Sequence, residues 1–308
     1  MNTAKVDLID LVRLSASTEP NRTYRPTGRN RPEAEAERST LSTAHIRPQI
    51  QYYAGASLFK VSRGGECEQV GGGRRGVING FSLQSRLRLM RVIAKVKRDR
   101  ALPVFVTLTF PDIFPEPEEA KKCLWAFIKR LRRAFPRVGL IWKLEPQERG
   151  APHFHLLVWG VFFQQLQNFT PEAWYEVAGG GDPWHLAWHK GLCGNGNVHC
   201  VQRVRSFEGV WSYAAKYLGK TFEKAGWDKK WTGRYWGVVG PQNIPFGELC
   251  ELDITAPNAY TLMRYQRRFI NRVRPGEKKK RARKSNSRSL TIFCDASQWA
   301  ERLYPLCD

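Results

Sequence analysis

The sequence predicts an α+β protein in which an antiparallel sheet carries its helices mainly on one side. Three observations predict it. The elements run β, α, β, β, then β, α, which is not the repeated βαβ series of a parallel sheet. The strand candidates VGLIWKLE and HFHLLVWG are separated only by PQERGAP, whose two prolines and glycine suit a hairpin and hence antiparallel pairing. At 308 residues the chain can bury a substantial core, as one large domain or two small ones.

Each element has a local reason. Residues 1–50 are expected to be largely disordered, because TEPNRTYRPTGRNRPEAEAERST is polar, rich in both charges and punctuated by proline. Hydrophobic density rises from Tyr52, and the glycines and arginines at 71–76 form a loop. A helix is expected after Phe81, with Ser82 as N-cap and Leu83, Leu87, Leu89, Met90 and Ile93 as its buried stripe, while Arg86, Arg88 and Arg91 face solvent. PVFVTLTF (103–110) is β-branched and aromatic, hence a strand. PEPEEAKKCLWAFIKRLRRAF follows as a helix with Pro117 in its first turn, acids leading and bases trailing, and Leu124, Phe127, Ile128 and Leu131 buried. NVHCVQRV (197–204) is a further strand, residues 207–222 a helix, CELDIT (250–255) a last strand, and Pro257 to Val273 a last helix. The folded domain is thus placed at 51–273, with a basic tail at 274–308.

Lysine and arginine number 50 against 28 aspartate and glutamate, a formal charge of +22. So basic a balance predicts a polyanionic partner, since neutralising phosphates releases counterions. The densest run lies in 272–288, where Lys278, Lys279, Lys280, Arg281, Arg283 and Lys284 are expected to bind DNA non-specifically. No apolar run is long enough for a membrane span and the opening residues lack the features of a secretory signal, so a cytoplasmic protein is expected. Seven scattered cysteines without a CxxC pair argue for reduced thiols. His185, His189, Cys193, His199 and Cys200 fall close together, but their spacing matches no standard zinc signature, and Trp184 and Trp188 suggest packing instead.

The chemistry-bearing residues form two groups. His153 and His155 alternate about Phe154 on a strand, so both imidazoles point to one face and can grip one cation. Two histidines leave a hard cation short of ligands, and Glu145, which ends the preceding strand, would be returned beside them by the hairpin; Glu148 sits in the turn itself. In SYAAKYLGK, Tyr213 and Tyr217 are spaced i, i+4 on a helix, and Lys216 and Lys220 each follow a tyrosine by three residues. A phenol becomes a competent nucleophile towards a phosphate polarised by a metal and flanked by a lysine. Gly219-Lys220-Thr221 is no phosphate-binding loop of the Walker type, since position 214 is alanine. Trp184, Trp188, Trp211, Trp231, Tyr235 and Trp236 crowd this region and could stack single-stranded bases.

With these motifs in view, the chain resembles rolling-circle replication initiators of the His-hydrophobic-His (HUH) endonuclease superfamily, of the two-tyrosine type found in single-stranded-DNA phages and related plasmids. FVTLTF resembles the first family strand, PHFHLLVWG the metal strand and YAAKYLGK the nucleophile helix, and the resemblance covers about residues 75–260. It implies a five-stranded antiparallel sheet near the ferredoxin-like plan. It also implies Glu145 as third ligand of a Mg2+ or Mn2+ ion, attack by Tyr213 or Tyr217 on an origin phosphate, and Lys216 and Lys220 as supporting charges. The implied partners are single-stranded or unwound origin DNA, a host helicase and a host DNA polymerase. Two other readings stand beside it: a non-catalytic nucleic-acid-binding protein with a ferredoxin-like sheet, and a transposase or relaxase of the same superfamily.

Overall fold

The computed structural model describes residues 43–68, 80–147, 149–190, 200–207, 209–210, 233–272 and 289–303. In chain order these form β1 (Thr43–Ile46), β2 (Gln49–Tyr53), β3 (Leu58–Ser62), β4 (Gly65–Glu68), α1 (Leu83–Ile93), β5 (Val104–Thr109), α2 (Pro117–Ala134), β6 (Gly139–Pro146) and β7 (Pro152–Trp159). There follow α3 (Phe163–Ala178), α4 (Pro183–His189), β8 (Val201–Arg203), β9 (Trp236–Val239), β10 (Leu249–Asp253), α5 (Ala256–Arg272), β11 (Ser289–Phe293) and α6 (Ala296–Leu303). Contacts divide the chain into two units: residues 76–93 with 99–245, and the flanking residues 1–75, 94–98 and 246–308.

The inserted unit is α+β, as expected, with a five-stranded sheet in the order β8-β5-β7-β6-β9 and every pair antiparallel. Residues directly opposite in such a ladder share a face. On one face Val106, Leu108, Phe154, Leu156, Leu140, Trp142 and Leu144 are buried. Two helices supply the layer that covers them. In α2 the buried stripe is Ala120, Leu124, Phe127, Ile128 and Leu131, with Pro117 setting the first turn and Glu118 and Glu119 facing the helix's positive end. α3, absent from the sequence expectations, adds Trp174, whose ring packs edge-on against Phe110 and Phe127 and whose indole N–H donates to the Thr109 carbonyl at 2.5 Å. A fully buried indole needs such an acceptor. α1 starts where its capping residue requires: the Ser82 hydroxyl accepts from the Ser85 amide at 3.2 Å, and Leu87, Leu89, Met90 and Ile93 are buried.

The flanking unit has its own four-stranded antiparallel sheet, β10-β2-β3-β11, and a β1-β4 hairpin. Its core joins Ile50, Phe59 and Val61 to Leu262 and Met263 of α5, Leu290 and Ile292 of β11, and Trp299 and Leu303 of α6. Two sequence expectations change here. The CELDIT strand pairs with β2 rather than entering the five-stranded sheet, whose place is taken by β9, Trp236–Val239. The segment expected as a basic tail, 274–308, contains β11 and α6, because SLTIF alternates onto β3 and the AxxWxxxL spacing of ASQWAERL presents Ala296, Trp299 and Leu303 to one core. Residues 43–50, placed in the expected disordered segment, likewise hold β1 and the start of β2. No helix among the described residues is long and apolar enough to cross a membrane.

Candidate functional site

The second face of the five-stranded sheet is polar. On β5, β6 and β7 the polar residues all have the same parity, Thr107 and Thr109, Lys143 and Glu145, His153 and His155, so the alternation that buries one face puts these six together on the other. The register sets Thr109 and Glu145 on either side of His153, and Thr107 and Lys143 on either side of His155. The β6-β7 turn is the reason. It closes from Pro146 to Pro152 with Gly150 at φ 84°, a left-handed conformation that glycine adopts without strain, and so returns Glu145 opposite His153. Arg149 fastens this turn to the segment after β5, donating to the carbonyls of Phe110 at 2.5 Å and Pro111 at 2.9 Å and pairing with Asp112 at 3.1 Å.

The rings of His153 and His155 lie 4.3 Å apart between centroids. His155 is held at both nitrogens: Nε2 donates to Glu145 Oε2 at 3.1 Å, and Thr107 Oγ1 lies 3.3 Å from Nδ1. Phe105 stacks on the same ring at 5.2 Å. Lys143, only 1% exposed, sends its ammonium to the other oxygen of Glu145 and lies 5.5 Å from the centre of the Phe81 ring. Burial alone would push the Glu145 carboxyl up; the His155 hydrogen bond and the Lys143 charge outweigh it and hold the group at about 2. For His153, burial and then the neighbouring His155 charge lower the pKa to about 3, and its Nδ1 is buried with no hydrogen-bond partner.

A second imidazole pair abuts this face. His185 and His189 of α4 are buried, with centroids 4.3 Å apart. A carbonyl can only accept, so His185 Nε2 donates to Thr109 O at 2.8 Å and His189 Nδ1 donates to His185 O at 2.8 Å. His189 Nε2 is then the unprotonated nitrogen, and Thr109 Oγ1 lies 3.2 Å from it. His189 is close enough to His153 for its charge to be felt there. The sequence favours packing by Trp184 and Trp188 over any role for this pair, but Trp184 is 74% exposed. An i, i+4 histidine pair beside polar-parity strands is the signal that points to it.

Among the described residues no group of three or more His, Cys, Asp or Glu side chains is arranged to hold a metal ion. The donor set nevertheless suits a divalent cation: the carboxylate is ionised, His153 is neutral, and its buried Nδ1 has no partner. In this conformation Glu145 and His155 instead bond one another. Tyr213, Tyr217, Lys216 and Lys220 lie outside the described residues, as do Lys278, Lys279, Lys280, Arg281, Arg283, Lys284, Glu148, Cys193, His199, Trp211 and Trp231. Of the remaining aromatics, Tyr235 is buried and stacks on Phe81 at 5.8 Å, and Trp236 donates to Ser85 Oγ at 3.0 Å.

Comparison with known proteins bears on residues 103–222, which match the model of a family described as replication-associated protein ORF2. A protein of Xylella fastidiosa (strain 9a5c) described as "Putative replication protein" is 29% identical over 182 residues, covering 54% of this chain and 58% of the relative. This chain therefore spans less than two thirds of that relative's length. No solved structure matches significantly.

Proposed function

We propose that the protein initiates rolling-circle DNA replication as a metal-dependent, site-specific single-strand nickase and strand transferase of the HUH type. The match to a replication-associated family supports a replication role, and one observation carries the chemistry: two imidazoles and an ionised carboxylate share the polar face of the central strands, with Glu145 opposite His153. A non-catalytic DNA-binding module has no use for that set.

In this reading His153, His155 and Glu145 hold a divalent ion, Mg2+ or Mn2+. When bound, the ion supplies Lewis-acid polarisation of a scissile phosphate. Lys143 and Thr107 position the ligands, the one by keeping Glu145 ionised, the other through His155 Nδ1. The Tyr213 or Tyr217 phenol loses its proton and its oxygen attacks phosphorus. The bond from phosphorus to the 3′ oxygen breaks, that oxygen takes up a proton, and a 5′-phosphotyrosyl link remains. Lys216 and Lys220 favour the phenolate or the leaving oxygen. Because the bond energy is kept in the link, a 3′-hydroxyl can later reverse the step without ATP. The free 3′ end primes a host polymerase, and a host helicase unwinds the duplex.

The test uses an origin oligonucleotide. His153→Ala and His155→Ala should each abolish nicking and leave most DNA affinity, which comes from distributed basic contacts. Full cleavage by the double variant, or by the wild type in chelator, would sink the metal assignment.

A further inference from the structure

We propose that His189 of α4 is a further ligand of this site, adding a third imidazole through Nε2, so that the site favours imidazole-binding first-row ions such as Mn2+ and Co2+ over Mg2+. The inference rests on the metal reading above and deepens it.

Position comes first. Thr109 is paired directly across from His153, and its hydroxyl oxygen is 3.2 Å from His189 Nε2, which places that nitrogen over the polar face beside His153. The tautomer comes second. His189 Nδ1 is committed to the His185 carbonyl, so the lone pair is on Nε2, the nitrogen turned towards the strands. Metal-binding imidazoles are held in this way, with the far nitrogen donating to a carbonyl or carboxylate that fixes the ring and its tautomer. His185 extends the support by donating to the Thr109 carbonyl, so α4 is pinned to the end of β5 through both of its histidines.

Burial removes the competing explanation that these rings are solvated helix residues. His189 is 2% exposed and His185 6%, and burial lowers the pKa of His189 to about 4, which leaves its lone pair free at neutral pH. Thr109 occupies that lone pair at present, but a hydroxyl rotates about one bond and releases it readily. Packing alone would have been served by an apolar side chain, whereas here a seven-residue helix spends two histidines on fixing one ring nitrogen. Three imidazoles and one carboxylate form a borderline donor set that imidazole-preferring ions satisfy better than Mg2+, which prefers oxygen ligands and water.

The experiment titrates Co2+ and Mg2+ into the full chain by calorimetry and follows the Co2+ visible absorption. His189→Gln can still donate to the His185 carbonyl, and it should weaken Co2+ binding by about 10- to 100-fold and change the Co2+ spectrum while leaving Mg2+ binding nearly unaltered. His189→Gly should lose Co2+ affinity and regain it when free imidazole is added, which separates ligation from a folding defect. Wild-type Co2+ affinity and spectrum in His189→Gln, or no rescue by imidazole, would overturn the proposal. If His153→Ala has meanwhile lost Co2+ binding, only His189 is excluded; if His153→Ala also binds normally, the metal reading itself falls.

Discussion

Replacing Lys143 by methionine removes the one buried ammonium that faces Glu145 and leaves a side chain of similar length. Glu145 is a partly desolvated carboxylate held at about 2, below the 4.5 of an isolated group, and this fall corresponds to ~3 kcal/mol shared between Lys143 and His155. Removing one partner of a buried pair typically costs about 3–5 kcal/mol, because the other charge is left without compensation. We expect a loss of ~2–3 kcal/mol in metal-free protein. At about 2–4 °C per kcal/mol for a unit of this size, the midpoint of the inserted unit should fall by roughly 5–10 °C. Calorimetry in chelator measures it, and a cycle with Glu145→Gln locates the cause: Lys143→Met/Glu145→Gln should recover most of the loss, since no charge is then stranded. A single variant within 0.5 kcal/mol of wild type, or a double variant no better than the single, would refute the argument that this pair is held ionised by mutual compensation.

Three further outcomes follow from the same residues. Tyr213→Phe and Tyr217→Phe should each retain some covalent adduct with a nicked oligonucleotide and the double variant none; complete loss from Tyr213→Phe with Tyr217→Phe normal would leave a single nucleophile. Neutralising Lys278, Lys279, Lys280, Arg281, Arg283 and Lys284 together should reduce the salt slope of single-strand binding by up to ~4 without lowering the thermal midpoint, whereas deleting 274–308 would remove β11 and α6 and unfold the flanking sheet. In chelator, stability should be full above about pH 6.5 and fall below it, because the unfolded chain takes up protons that buried His153 and His189, lowered to about 3 and about 4, refuse. Each contributes up to ~1.4 kcal/mol per pH unit, and a midpoint that stays flat from pH 7 to 4.5 in equilibrium melts would contradict their burial as neutral rings.

The sequence carried the sheet's central hairpin and the site's first three side chains for a physical reason. Periodicity in VGLIWKLE and HFHLLVWG fixes which side chains share a face, and a turn bounded by Pro146 and Pro152 fixes the register, so Glu145 opposite His153 is legible before any fold is known. The same parity argument applied to Thr107, Thr109 and Lys143 would have completed that face. What periodicity does not carry is partnership between distant segments. CELDIT reads as a strand in isolation, but only a sheet whose other members lie near residues 50 and 290 decides where it pairs. His189 escapes sequence reasoning for a related cause: the spacing of His185 and His189 is that of any helix face, and its meaning comes from the end of β5 that α4 meets.

The interleaving of the two units along the chain has a consequence for biosynthesis. β2 and β3 leave the ribosome as a hairpin whose outer edges are completed only by β10, which begins 187 residues after Ser62, and later by β11. At about 5–20 residues per second that is a wait of ~10–40 s, during which Gln49–Tyr53 and Leu58–Ser62 offer unpaired edges to other chains. The inserted unit is synthesised whole within that interval, and its strands pair within residues 104–239. Cotranslational folding would therefore deliver the polar face of β5, β6 and β7 first and the flanking sheet last. Chaperone dependence and premature-stop products should accordingly fall on the flanking sheet, and a message cut short after residue 245 would still encode every strand of the five-stranded one.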